Sequence, residues 1–409
     1  MRACFLEFFS KRRTKASLLT IFGSLALSSI LGSCTSLNQM GDHSPSHQIT
    51  IIENDEVPIF DPFFATAALL GLELANKEFV KSKKLFDAKF QKKTLRVSLW
   101  TQRDKEAPLF IVLPGFGGDA SSKVARSAAY HLWKQGFQVI MFASTTHIEA
   151  KNYILEGQMP GNVPYDNQKW LSHTQKVLEQ IGFQNRKIHL LGLSWGALQV
   201  LNLSLTQDQI AASGLNVETF VALNPPLNLS YALAQLDQSI ERNQKRYAPQ
   251  FKLHPALIGK INAANSTQLN LAEKLNVFEK DEVEFLLAWN FRNSLRFLVQ
   301  APFNEENLNF KNYLLSPWGL GLRDKEHLLA WQQSHDMTKV DSQKWPANLL
   351  VYHSLDDYLN SKDSILDLKS VLGPKMLLYR HGGHLGYFSG SRFWGDLERS
   401  LAPLLRDAN

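Results

Sequence analysis

The chain has 409 residues, 44% hydrophobic and 20% charged, which excludes disorder as its dominant state and allows two or three domains or one large α/β domain with an insertion. Its 2 cysteines, Cys4 and Cys34, exclude a disulfide-stapled scaffold and any all-cysteine zinc or iron–sulfur site. The formal net charge is +6, but most of the excess lies ahead of Cys34, where Arg2, Lys11, Arg12, Arg13 and Lys15 face only Glu7; the nearly balanced remainder argues against a nucleic-acid partner.

The basic cluster Lys11 to Lys15 precedes an uncharged stretch, Leu18 to Leu31. That stretch falls short of the roughly 20 apolar residues a spanning helix needs. A basic start and a short apolar run are the layout of a signal peptide. The run ends in Leu31-Gly32-Ser33-Cys34, which resembles the lipobox of bacterial lipoproteins. The resemblance implies that residues 1–33 are removed, that Cys34 is lipidated, and that the chain is held at a membrane without crossing it. An ordinary secretory signal with an incidental cysteine, or a buried apolar helix, is the alternative. Thr35 follows Cys34 where an Asp would resemble an inner-membrane retention signal. The expected location is therefore the bacterial cell envelope, on the outer membrane facing the periplasm. Residues 34–48 are polar and read as a tether.

Ile49 to Ile52 reads as a short strand, and Pro62 to Phe90 as mostly helical with a solvated basic run, Lys81-Ser82-Lys83-Lys84. Thr94 to Trp100 alternates in strand period, and Leu109 to Leu113 is a continuous apolar run, as in a buried strand. A helix over Ser121 to Gln135 is stopped by Gly136, and a strand follows at Phe137 to Phe142. Asn167 to Gln180 is a second helix, closed by Gly182. Ile188 to Leu193 is a strand, with a helix from near Gly196. Further strands are expected at Thr219 to Leu223, Leu349 to Tyr352 and Met376 to Tyr379, with helices at Ile365 to Leu372 and Phe393 to Leu405. This alternation predicts an α/β fold, a mostly parallel sheet flanked by helices. The rhythm breaks over residues 225–345, which read as an inserted, aromatic-rich helical cap between core segments 49–224 and 346–409.

Gly192-Leu193-Ser194-Trp195-Gly196 is a G-x-S-x-G between a strand and a helix, the context of a nucleophile elbow. Pro114-Gly115-Phe116-Gly117-Gly118 follows another strand. A glycine-rich turn there leaves backbone N–H groups aimed into a cleft, where two such donors stabilise an oxyanion. They are assigned to Phe116 and Trp195. A phosphate loop fits poorly, because the P-loop lysine and G-x-G-x-x-G spacing are missing. A serine needs a base, and Gly382-Gly383-His384-Leu385-Gly386 places His384 between glycines after the last strand. His381 competes, but directly follows the strand and is expected to pack against the loop. An orienting carboxylate is offered by Asp356 or Asp357, both just past a strand.

The order Ser194, Asp357, His384 resembles the α/β-hydrolase superfamily, from about Thr94 to Leu405 apart from the insertion. In that family the acid loop often reads His-Gly-x-x-Asp. His353-Ser354-Leu355-Asp356-Asp357 matches it with Asp357 as the acid. The family's His-Gly before the oxyanion residue is here Pro114-Gly115, and the insertion sits where members carry a cap. Gly-Gly-His-x-Gly also resembles a bacterial esterase subgroup. The resemblance implies a serine hydrolase of carboxylic esters needing no metal or other cofactor. The cap aromatics Phe285, Trp289, Phe291, Phe297, Phe303 and Trp318 favour an apolar acyl or lipid-like ester. An envelope acyltransferase and a non-catalytic envelope binding protein on the same fold are the alternatives, and the oligomeric state is not specified.

Replacing the anchor residue gives the first prediction. Cys34→Ser in the full chain is expected to abolish incorporation of labelled palmitate and to move the protein from detergent to aqueous phase on phase partitioning. Unchanged labelling would rule out Cys34 as the lipidated residue.

Overall fold

Leu109–Leu113 (β3) and Gln138–Met141 (β4) are buried at every position, so both faces of the sheet are covered there. The computed structural model describes residues 49–406 apart from 55–58, 72–73, 91–92, 120, 185, 267–273 and 300–307. The expected leader, Cys34 and tether, and Phe303, lie outside the described residues. With Lys84–Phe90 (β1), Lys93–Trp100 (β2), Lys187–Leu193 (β5), Asn216–Leu223 (β6), Leu349–Ser354 (β7) and Met376–Tyr379 (β8), the sheet has eight strands in the order β1-β2-β4-β3-β5-β6-β7-β8. β2 runs antiparallel to both β1 and β4, and the remaining pairs are parallel. This order, with the chain crossing between β3 and β4 and advancing one way from β5, is the sheet of the α/β-hydrolase fold.

The helices begin and end for local reasons. Asn162 caps Val163–Ile181 by accepting the Tyr165 N–H, and Gly182 closes it at φ 78°, a conformation that favours glycine. The helix starts four residues before its expected onset at Asn167 because this cap and Pro164 lie upstream. Lys123–Lys134 and Ser391–Arg406 bury Ala128, Leu132, Leu397 and Leu401 in one cluster with Phe110, Val112 and Leu191 of the sheet.

One expected element is wrong. The helix over Pro62 to Phe90 resolves into two short helices, Pro62–Gly71 and Lys77–Ser82, and then β1. Phe86, Ala88 and Phe90 point inward, alternating with exposed Leu85, Asp87 and Lys89, so the true period is two. Asp87 stands opposite Arg96 of β2 and pairs with it at 2.8 Å. The pair is exposed and contributes little energy, but helps specify register. The short strand expected at Ile49 to Ile52 reduces to a single bridge between Ile52 and Tyr379.

Between β6 and β7 the described residues form helices, chiefly Leu229–Tyr247, Pro255–Ser266, Lys280–Val299, Phe310–Leu315 and Lys325–Ser334. Phe285 packs between Tyr247 and Trp289, and buried Arg292 lies 4.8 Å from the rings of both Phe251 and Trp289. Asp237 accepts the N–H groups of Phe310 and Lys311, both at 2.9 Å, at the first turn of the helix Phe310–Leu315. Three side chains join this segment to the backbone ahead of Val163: Tyr313 Oη donates to Pro160 O, Trp331 Nε1 donates to Gly161 O, and His335 Nε2 accepts the Val163 N–H. Among the described residues no helix is long and apolar enough to cross a membrane.

Asp166 sits beneath that junction. One carboxylate oxygen accepts the Gly161 N–H at 2.8 Å; the other has no partner among the described residues. Burial pushes its carboxyl up to about 7, against the opposing pull of that hydrogen bond. The folded value lies above the unfolded one, so stability is full below about pH 4 and erodes as pH rises towards 7. Over that window the wild type is expected to lose up to about 4 kcal/mol relative to Asp166→Asn, read from urea melts at a series of pH values. A pH-independent difference would show that Asp166 does not titrate there.

Candidate active site

β5 delivers its last residue into a turn too tight for ordinary side chains. Ser194 has φ 53°, a region that non-glycine residues rarely enter. The turn is held by the Ser194 N–H bonded to Leu223 O and by the next helix, Trp195–Ser204, starting at once. Any Cβ on Gly192 would overlap the Gly196 carbonyl, and one on Gly196 would overlap the Leu113 carbonyl. Both flanking glycines are therefore dictated by backbone passing backbone. The result presents the Ser194 hydroxyl at the carboxyl end of the sheet, with the residue only 7% exposed.

His384 arrives from the loop after β8. Its Nε2 is 2.7 Å from Ser194 Oγ, and its Nδ1 is 2.9 Å from Asp357 Oδ2. A carboxylate there fixes the tautomer, leaving Nδ1 protonated and Nε2 free to accept from the hydroxyl. Asp357 stands just past β7 and also accepts from Leu359 N–H at 2.9 Å, Asn224 Nδ2 at 2.7 Å and Asn360 Nδ2 at 3.2 Å. Complete burial drives its carboxyl up. The electrostatic attraction of His384 and His353 and the hydrogen bonds from His384 and Asn224 outweigh that, and hold it well below the usual carboxylate range. It therefore stays ionised at neutral pH.

The neighbouring candidates have other partners. Asp356 accepts the Gly383 N–H at 2.8 Å and the Gly382 N–H at 3.3 Å, and lies 3.8 Å from His381 Nδ1. Burial raises its carboxyl, opposed by those two N–H groups. His381 packs edge-on against Phe60. The structure thus brings Ser194, Asp357 and His384 together and sets Asp356 and His381 one layer behind them.

Gly115 lies against the serine, since a Cβ there would be 3.3 Å from Ser194 Cβ. In the same turn the Gly117 N–H is bonded to Thr146 Oγ1 at 2.8 Å and the Gly118 N–H to Gly115 O at 3.0 Å. The N–H groups of Phe116 and Trp195 have no acceptor among the described residues. That of Trp195 opens a helix, where the aligned backbone dipoles favour negative charge. An apolar pocket opens over the serine, walled by Phe116, Trp195, Leu229, Leu233, Phe291 and Phe310 among others. A second pocket shares most of those walls and runs on to Gly161, Tyr313, Leu320 and Trp331. Both are lined almost wholly by apolar surface, and Ser194 lines the first.

Of the aromatics in this inserted segment, Phe291 lines the pocket. Phe285 and Trp289 pack inside the cap, and Phe297 is exposed. Leu229 and Leu233 of the helix Leu229–Tyr247 join Phe291, with Phe310 from the start of Phe310–Leu315. Asn224, at φ 46°, was not anticipated. Its one sequence signal is a polar residue directly following an apolar strand. Thr66 and Asn54, which touch the His384 loop, gave no signal at all.

No protein-family model matches this chain, and no curated protein does either. Among solved structures it is similar to an esterase of Pyrococcus furiosus, at 12% identity over 80% of this chain and 94% of that one, TM-score 0.44. A 2,6-dihydroxy-pseudo-oxynicotine hydrolase matches at 12% identity over 84% and 80%, TM-score 0.45. A carboxyl esterase of Bacillus coagulans matches at 13% over 80% and 98%, TM-score 0.40. Likeness this distant does not bear on substrate.

The glycine argument can be tested against a control. Gly196→Ala is expected to destabilise the chain by about 3 kcal/mol or more, because the clash is with backbone. Gly259, exposed in a helix with nothing within 4 Å of an added Cβ, should tolerate or gain from alanine, by up to about 1 kcal/mol. Urea denaturation measures both, and equal effects would refute the close-approach account.

Proposed function

We propose that this protein is a serine hydrolase of carboxylic esters with an apolar acyl group. The observation that supports it most is the hydrogen-bonded line Ser194 Oγ, His384 Nε2, His384 Nδ1, Asp357 Oδ2, ending at an apolar pocket. In this reading His384 takes the hydroxyl proton as Ser194 Oγ attacks the ester carbonyl carbon. The carbonyl electrons move onto oxygen, and the Phe116 and Trp195 N–H groups hold that oxyanion. Collapse breaks the bond to the alkoxy oxygen, which leaves as alcohol with the proton from His384. Water, activated by the same imidazole, then attacks the acyl-enzyme and releases the free acid. Asp357 keeps its charge throughout and stabilises the imidazolium.

The lining supports an apolar acyl group over a charged one. A polar acyl group would lose its hydration among Leu229, Leu233 and Phe310 without finding partners. The leader motif carries the remainder of the proposal from sequence alone: an anchor at Cys34 would set the enzyme against envelope lipids or esters.

Labelling with a fluorophosphonate, followed by peptide mapping, is expected to mark Ser194 in the wild type. Both label and turnover should vanish in Ser194→Ala and His384→Ala, a fall of at least about 10³-fold in kcat/KM on p-nitrophenyl esters. Leu233→Trp should shift preference towards shorter acyl chains. Wild-type turnover by Ser194→Ala would sink the assignment.

A further inference from the structure

We propose that the chain ahead of β1 is a positioning element for the catalytic histidine, with Thr66 its central residue; the proposal rests on the serine-hydrolase reading above. The loop 380–386 that carries His384 has little regular structure of its own. Gly382, Gly383 and Leu385 all stand at positive φ (137°, 54° and 72°), so its path is set by what it touches.

One side of the loop is held by the core. Asp356 accepts the Gly382 and Gly383 N–H groups, and Ser354 Oγ and Asn224 Nδ2 donate to Gly383 O. The other side is held by residues that precede the sheet. The Ile52 N–H bonds Leu378 O at 2.7 Å, and the Arg380 N–H bonds Ile52 O at 3.0 Å, carrying β-type pairing one step past β8. Asn54 then clasps the next residue with both ends of its amide: Oδ1 accepts the His381 N–H at 3.0 Å, and Nδ2 donates to His381 O at 2.7 Å. The loop next lies flat on the helix Pro62–Gly71. A Cβ on Gly383 would overlap the Pro62 carbonyl, and one on Gly386 would be 2.6 Å from Ala65 C.

At the centre of that contact is Thr66, only 5% exposed. Its Oγ1 accepts the N–H of His384 itself at 2.9 Å and donates to Pro62 O at 2.8 Å. The hydroxyl is fixed from both sides, so its position is that of the helix. Through it the backbone of His384 is referred to an element outside the sheet. Losing it leaves a buried N–H without a partner and frees the loop on that side. Displacing a reacting group by about 1 Å costs on the order of 10²-fold in rate.

The test is Thr66→Val, which keeps the shape and deletes the hydroxyl, beside Thr66→Ser, which keeps the hydroxyl. Both are made in the full chain. Thr66→Val is expected to lower kcat by about 10- to 100-fold with KM changed less than about twofold, and to slow fluorophosphonate labelling in parallel. Thr66→Ser should restore activity to within about threefold of wild type, a rescue that general loosening of the fold would not produce. Wild-type kcat in Thr66→Val, or equal loss in Thr66→Ser, overturns the proposal. If Thr66→Val does not accumulate, Asn54→Ala carries the test, with an expected loss in kcat of about tenfold and an unchanged KM. Wild-type kcat there overturns it equally. A dead Ser194→Ala beside a fully active Thr66→Val would reject the positioning role alone, whereas an active Ser194→Ala rejects the catalytic reading itself.

Discussion

Three stretches of backbone meet within van der Waals distance at the end of β5, and the rest of the structure is arranged around that meeting. The Gly192 and Gly196 backbones pass each other, and Gly196 also passes the carbonyl of Leu113 at the end of β3. This close approach drives Ser194 to positive φ, lifts its hydroxyl out of the sheet and starts the following helix immediately. It also sets the turn after β3 directly against the serine. A strained residue persists only where its surroundings over-determine it. Here those surroundings are parallel strands, buried on both faces and paired on either side of β5.

Charge at this point is managed by depth. Asp357 is fully buried and would resist ionisation alone. The imidazoles of His384 and His353, with the amides of Asn224 and Asn360, supply enough compensation to keep it charged. Asp356, one residue earlier, spends its carboxylate on two backbone N–H groups of the His384 loop. Two adjacent aspartates thus divide the work: one faces the imidazole ring, the other the chain that carries it. Above them the pocket is apolar, and electrostatic interactions at the serine are weakly screened as a result.

Much of this was legible in the chain and some was not, for identifiable reasons. The parallel strands stood out because burial on both faces demands unbroken apolar runs such as Leu109 to Leu113. β1 did not: a hairpin strand with one wet face carries Lys84, Asp87 and Lys89, which read equally well as a charged helix. The serine, the histidine and the glycine-rich turn were visible because glycine marks the places where backbone must pass. Which residues wall the pocket was not legible, since aromatic density in Lys280–Val299 says nothing of which face turns inward. Phe285 and Trp289 stabilise the cap, while Leu229 and Leu233, unremarkable in sequence, line the pocket.

By itself the sequence determined the strand-and-helix alternation, the tight turn at Ser194 and the chain order of Ser194, Asp357 and His384. These are consequences of local steric and periodic rules that act over a few residues. Which aspartate meets His384, which helix lines the pocket and what holds the histidine loop were decided by the tertiary structure. Asn224, Thr66 and Asn54 lie 133, 318 and 327 residues from the partners they bind. Contacts at such separations depend on how the sheet and helices pack, and leave no local pattern in the chain.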